Sequence, residues 1–156
     1  MNPRPAYPVA VLNFIFDEQE RFLLFSRDGK RRWRVMGGQL EENETIPQCI
    51  QREIEEELGA IGYRFLDVLD AHVFDYDGGF RIISIFCLLR YESGEIIPSS
   101  DMAGYTYRWF RSDELRQADI ACPHQFELVE KALFSVRRLR ESESASFLKF
   151  RWRSLS

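Results

Sequence analysis

Residues 38–60 read GQLEENETIPQCIQREIEEELGA, and their fixed points are Gly38, Glu44, Arg52, Glu53, Ile54, Glu56, Glu57, Gly59 and Ala60. Within the stretch, Thr45-Ile46-Pro47-Gln48 has the form of a capping box, in which the Thr45 hydroxyl accepts from the Gln48 N–H and the Gln48 side chain reaches back. Pro47 suits a first turn, where its missing N–H costs nothing. Gly59 suits the left-handed turn that ends a helix. The spacing therefore predicts a helix over Ile46–Leu58, about three and a half turns long.

At about 100° per residue, Ile46, Ile50, Ile54 and Leu58 fall on one apolar stripe that must be buried. With Ile50 at zero, Glu57 projects at roughly −20°, Glu53 at roughly −60° and Glu56 at roughly −120°, whereas Glu55 and Arg52 point away. Three glutamates share an arc at the edge of the buried face, where like charges three and four residues apart repel. Such an arc calls for a cation. Hard divalent ions prefer carboxylate oxygens, and Mg2+ commonly combines one or two carboxylates with substrate phosphates and water. Main-chain carbonyls near Gly37 and Gly38 can add to that shell, since glycine lets backbone approach closely. The competing reading is a solvated acidic face on a surface helix, which the place of Glu57 inside the apolar stripe weakens.

At every fixed position, residues 38–60 resemble the signature of the Nudix hydrolases. The resemblance implies Mg2+-dependent or Mn2+-dependent hydrolysis of a diphosphate bond in a nucleoside diphosphate linked to another group. It also implies an α/β (α+β) fold, an α/β/α sandwich around a central mixed β-sheet. Carried over by position, Glu53, Glu56 and Glu57 hold the metal, with Gly38 and Asp101 as further candidates; Glu92 or Glu95 would replace Asp101 if it fails. Glu53 is the favoured base for the attacking water. Glu44 and Arg52 are spaced to bridge the loop to the helix and so to orient the site. Met36 stands where the family usually has proline before its glycine pair, a departure that alters loop stiffness without removing a catalytic group.

The rest of the chain agrees. At 156 residues, 45% hydrophobic and 14% aromatic, it has room for one domain with a substantial core and none for a second. A net charge of −4 argues against a dedicated nucleic-acid binder. Its basic residues are 18 arginines and only three lysines, a bias that fits bidentate contact with phosphate. Cys49, Cys87 and Cys122 are odd in number and lie in apparent core elements, which points to a reducing cytoplasm. The apolar run 8–16 is too short to span a bilayer and lacks a basic leader, so neither signal peptide nor membrane anchor is expected.

Strands are predicted at Val9–Phe16, 21–26, 63–76, 80–91 and 105–110, with hairpin turns at Asp17-Glu18-Gln19-Glu20 and Asp77-Gly78-Gly79. A last helix is predicted over 123–140, with Phe126, Val129, Leu133 and Val136 facing inward. Residues 1–140 read as the domain and 141–156 as a C-terminal tail. Leu148, Phe150 and Trp152 alternate there with Lys149, Arg151 and Arg153, which favours an added edge strand or packing tail; a dimer contact or a basic lid is the alternative.

Outside residues 38–60 the family offers weaker parallels. Arg27 and Arg81 stand where it often places phosphate-contacting residues, against the alternative of ordinary surface arginines. His124 or Gln125 stand where its MutT-type branch reads the base, and Phe74, Tyr76 or Phe80 are candidates to stack on one, against the alternative of core packing. That branch converts nucleoside triphosphates to monophosphates and pyrophosphate, and it is the layout the chain most resembles. Tyr76 also falls at a spacing resembling the dinucleoside-polyphosphate branch, whereas Asp75 disfavours the ADP-ribose branch. The expected partner is a small-molecule nucleotide or nucleoside diphosphate derivative, with a homodimer left open. A Nudix fold without turnover, serving as a nucleotide-sensing or protein-binding module, is the rival class, and the intact glutamate set speaks against it.

Overall fold

The computed structural model describes residues 2–76 and 78–153, with the side chains of Tyr76 and of residues 148–153 outside that description. Six strands and three helices follow in the order β1 (Val9–Phe16), β2 (Phe22–Ser26), β3 (Met36–Gln39), α1 (Ile46–Leu58), β4 (Gly62–Tyr76), β5 (Phe80–Ser93), β6 (Thr106–Phe110), α2 (Ser112–Gln117) and α3 (Gln125–Arg153), with a short 3-10 turn at Ser100–Met102. The sheet runs β4-β5-β1-β2-β6. β1 and β5 are parallel, from Val9 opposite Ile83 to Phe16 opposite Arg90, and the remaining ladders are antiparallel, so the sheet is mixed.

β1 organises the molecule because its second edge is shared. Its first half pairs β3, with Val11 opposite Gly38 and Leu12 opposite Gly37, while Ile15 and Phe16 pair Leu23 and Phe22 of β2. Alternation along the strand then sorts side chains to two faces. Val11 and Ile15 join Leu23, Cys87, Ile50 and Ile54 in one core beneath α1. Phe14 and Phe16 join Phe86, Leu88, Leu128 and Val129 in a second core beneath α3. Helices on both faces of a mixed sheet make the α/β/α sandwich that the resemblance implies.

Two sequence expectations are corrected. Phe126 is 69% exposed, and Leu128 and Ala132 face inward with Val129, Leu133 and Val136 in its place. Over residues 141–153 the expected edge strand is instead helix, because α3 continues without a break through Arg153, and residues 154–156 of the tail lie outside the described residues. Glu143 of the extension pairs Arg90 at 2.6 Å, and Arg140 holds Glu20 at 3.0 Å. Once those contacts keep the helix intact past residue 140, each further residue adds a backbone hydrogen bond for little extra ordering, which overrides a two-residue alternation of side chains.

Candidate active site

The capping box at the start of α1 forms as read: Thr45 Oγ1 accepts from the Gln48 N–H at 3.4 Å and the Gln48 Oε1 accepts from the Thr45 N–H at 2.8 Å. Gly59 ends the helix at φ 85°, its N–H donating to the Glu55 carbonyl. With both ends fixed, the rotation of α1 about its axis is fixed too. Glu53 and Glu57 are 9% and 7% exposed, whereas the Glu56 side chain is 55% exposed. Tyr107 donates to the Glu57 carbonyl at 2.6 Å, and the N–H groups of Ile97 and Ser99 donate to the carbonyls of Leu58 and Glu56, so the last turn is held from outside.

Arg52 binds the loop before α1 to the helix. Its Nε and Nη2 donate to the two oxygens of Glu44 at 2.8 and 3.0 Å, Nη2 donates also to the Gln39 carbonyl at 2.9 Å, and Nη1 donates to Glu53 Oε1 at 2.7 Å. The Arg52 guanidinium draws the Glu44 carboxyl down to about 2. Glu57 is held differently, its Oε2 accepting from the Gly37 N–H at 2.8 Å. Burial pushes its carboxyl up to about 8, opposed by that N–H and reinforced by the neighbouring Glu53 and Glu56. Burial likewise raises Glu53, against the pull of Arg52.

The glycine pair is where main chain must come close. A Cβ on Gly37, at φ 139°, would lie 2.0 Å from the Val11 carbonyl oxygen, and one on Gly38 would lie 2.2 Å from Glu53 Oε1. β3 is thereby pressed between β1 and the carboxylates of α1.

A cleft of about 430 Å³ opens beside Glu57 and Gly37. Leu12, Val35, Ile82 and Met102 give it an apolar lining, and Arg32, Arg34, Ser84 and Tyr105 give it polar groups. Arg32 and Arg34 escaped the sequence reading. No local signal marked them: Arg32 sits at φ 51°, outside any strand alternation, and both reach the cleft only where residues distant in the chain, such as Tyr105 and Ala121, complete it.

The other candidates scatter. Arg27 stacks over the Tyr105 ring at 5.2 Å, and its Nε donates to the Tyr105 hydroxyl at 3.0 Å, close to the cleft. Arg81 is paired to Asp75, across the hairpin, on the opposite face of β5 from the cleft-lining Ile82 and Ser84. Tyr76 pairs Phe80 through the backbone, but its side chain lies outside the described residues. His124 stacks on His72 at 4.9 Å and 12°, and Gln125 accepts from the Ile120 N–H at 2.9 Å. Neither lines the cleft, although the preceding Ala121 and Cys122 do. Phe74 is core and Phe80 half-exposed. Asp101 is exposed in the 3-10 turn beside cleft-lining Met102, Glu92 pairs Arg64 at 2.7 Å, and Glu95 is exposed.

Among the described residues, no three acidic, histidine or cysteine side chains gather into a ready cage for an ion. The donor set nevertheless fits a hard divalent cation. Two buried carboxylates lie on adjacent turns with a third beside them; Glu56 raises the carboxyls of both Glu53 and Glu57, and Glu53 raises that of Glu57, which is the charge a cation would offset.

The NUDIX domain profile matches residues 6–132. The chain belongs to the NUDIX family. As a NUDIX protein it is a hydrolase of pyrophosphate bonds in nucleoside diphosphate derivatives, small molecules on which the family acts, generally with a divalent metal. The solved structures agree in fold. A MutT protein from Methanosarcina mazei Go1 superposes with a TM-score of 0.67 at 19% identity, covering 86% of this chain and 98% of that one. A NUDIX-family hydrolase from Clostridium perfringens gives 0.68 at 17% identity, with 86% and 99% covered, and a MutT NUDIX hydrolase from Burkholderia pseudomallei gives 0.63 at 24%, with 81% and 98% covered. No curated protein matches the chain. Among the described residues, no helix is long and apolar enough to cross a membrane.

Proposed function

We propose that this NUDIX protein is a magnesium-dependent pyrophosphohydrolase that converts a nucleoside triphosphate to the monophosphate and pyrophosphate, in the cytoplasm. The observation that carries the reading is that the buried Glu57, one helical turn from the buried Glu53, lines a cleft whose walls combine apolar side chains with Arg32 and Arg34. The apolar walls suit a nucleoside and the arginines suit its phosphates. Asp101 takes no part in this reading, and Arg81, committed to Asp75, gives way to Arg27 as the phosphate contact from outside the signature.

Glu53, Glu56 and Glu57 would hold the ion, with the main chain at Gly38 beside them. A bound divalent ion supplies charge neutralisation on the diphosphate and a lowered pKa for water. The protein's own groups do the rest. Glu53, with its carboxyl raised by burial, accepts the proton of the attacking water as the water oxygen bonds to phosphorus and the anhydride bond breaks. Arg52 fixes the Glu53 oxygen that it binds and, through Glu44, fixes the loop that carries the glycines. Gly37 turns Glu57 with its N–H.

The test is a screen of nucleoside triphosphates, dinucleoside polyphosphates, ADP-ribose and nucleotide sugars with Mg2+, scored by pyrophosphate or phosphate release. Triphosphates should give pyrophosphate and no free phosphate. Silence on every substrate would instead make the chain a binding module.

A further inference from the structure

Asn13 is fully buried on β1, between Val11 and Ile15 of the core beneath α1. Alternation along the strand turns its side chain to the same face as theirs. An amide in that place is costly, because each buried donor and acceptor needs a partner. The Asn13 Nδ2 donates to the Met36 carbonyl at 3.3 Å, but Oδ1 has no partner among the described residues. Reversing the amide would set Oδ1 against the Met36 carbonyl, so the donor must face Met36. An apolar side chain of similar size would fill the position without an unmatched acceptor, so packing alone does not account for an asparagine.

The Met36 carbonyl and the Gly37 N–H are the two ends of one peptide group. At one end the carbonyl accepts from Asn13; at the other the N–H donates to Glu57 Oε2 at 2.8 Å. This group lies at a fork. Asn13 opposite Met36 is the last rung of the β1–β3 ladder, and from Ile15 onward β1 pairs β2 instead. Gly37 follows at φ 139°, where glycine moves freely and other residues do not, so the peptide group before it can turn about its flanking bonds. Turned over, it would present the Met36 carbonyl oxygen to the Glu57 carboxylate, and the two would repel.

We propose that Asn13 is a positioning residue for the reaction: its amide locks the Met36–Gly37 peptide with the N–H toward Glu57 and so fixes that carboxylate beside the cleft. The inference rests on the proposed role of Glu57 as a ligand of the ion, but the lock itself is read without metal or turnover. Asn13 touches neither substrate nor ion, and it acts only through the peptide group.

The test uses the full chain in EDTA. N13V and N13A both remove the donor, but valine fills the space and alanine leaves a void. N13V should melt at or above the wild-type temperature, because the unmatched acceptor leaves with the donor. Hydrogen exchange read by NMR should nonetheless quicken at the Gly37 amide by about tenfold or more relative to the Gly38 amide, in both variants. No relative change at Gly37, or a change in N13A alone, overturns the lock. Should valine overpack the site, the Gly37 to Gly38 ratio in N13A decides. The second readout is Mn2+ affinity by electron paramagnetic resonance. N13V should bind Mn2+ about tenfold more weakly than wild type, yet the same substitution should cost less than about twofold in an E57Q background. Equal losses in the two backgrounds overturn action through Glu57. Wild-type Mn2+ affinity in E57Q itself would instead retire Glu57 as a ligand, and the Gly37 exchange would still decide whether Asn13 holds the peptide.

Discussion

Glu57 carries two opposed demands. Its place in the apolar stripe buries it, and its role beside the cleft needs it ionised. Burial wins in the metal-free protein, raising the carboxyl from the ordinary 4.5 to about 8. Between those values the folded chain keeps a proton that the unfolded chain has released, so stability falls as pH rises through that window. The lost stability is on the order of 5 kcal/mol once both states are ionised. Glu44 has the reverse sign: its lowered carboxyl contributes stability above about 4.5 that is lost as pH falls through about 2, well clear of the Glu57 window. In the presence of EDTA, the melting temperature should therefore decline from about pH 5 to pH 9, E57Q should flatten that decline, and Mg2+ should restore the wild type at the alkaline end. Parallel melting curves for wild type and E57Q would remove Glu57 from this account. The same substitution should cut kcat about a hundredfold or more with the fold intact, because a neutral amide neither holds the ion as a carboxylate does nor balances its charge. Near wild-type turnover in E57Q would take the metal role from this residue.

At the scale of elements, the site is a contact between β3 and α1, and the glycine pair divides its labour. In G37A the new methyl would meet the Val11 carbonyl oxygen, a main-chain atom of the neighbouring strand, at 2.0 Å from a φ of 139°. The variant should lose about 3 kcal/mol or more in urea denaturation. In G38A the obstacle is Glu53, with Oε1 at 2.2 Å and Cδ at 2.6 Å, the far end of a flexible side chain that can swing aside. G38A should thus lose about 1 kcal/mol or less in stability yet most of its kcat. A stable, fully active G38A would detach Glu53 from the chemistry. Elements whose signals are local were legible in the sequence. α1 occupies Ile46–Leu58 as read because a capping box and a glycine mark its ends, and β1 occupies Val9–Phe16 because a continuous apolar run marks a strand covered on both faces. The end of α3 was illegible because Glu143 is matched by Arg90, 53 residues earlier in the chain. The place of Arg32 and Arg34 was illegible for the same reason: they line the cleft together with Tyr105, about seventy residues later in the chain. The contact of Arg52 with Glu44 was within reach because eight residues of one loop and helix span it.

In the whole molecule, the sheet separates two cores with different duties. The core under α1 supports the helix that carries Glu53 and Glu57, with Ile54 between them in sequence and 1% exposed. The core under α3 holds Leu128, fully buried, on the opposite face. Truncation of either residue to alanine removes similar apolar volume, so I54A and L128A should each lose about 2–5 kcal/mol. Their effects on turnover should part. A cavity beneath Ile54 lets α1 settle toward the sheet and moves two carboxylates whose useful positions are fixed to within an ångström, and misplacement on that scale costs on the order of a hundredfold. A cavity at Leu128 relaxes within α3 and the side chains around it, with the sheet intervening. Assayed at a temperature where melting curves show both variants fully folded, I54A should lose about tenfold or more in kcat while L128A stays within about threefold of wild type. Equal losses in the two would mean that the sheet transmits packing strain from one face to the other, and that both cores, rather than the α1 core alone, set the position of the glutamates.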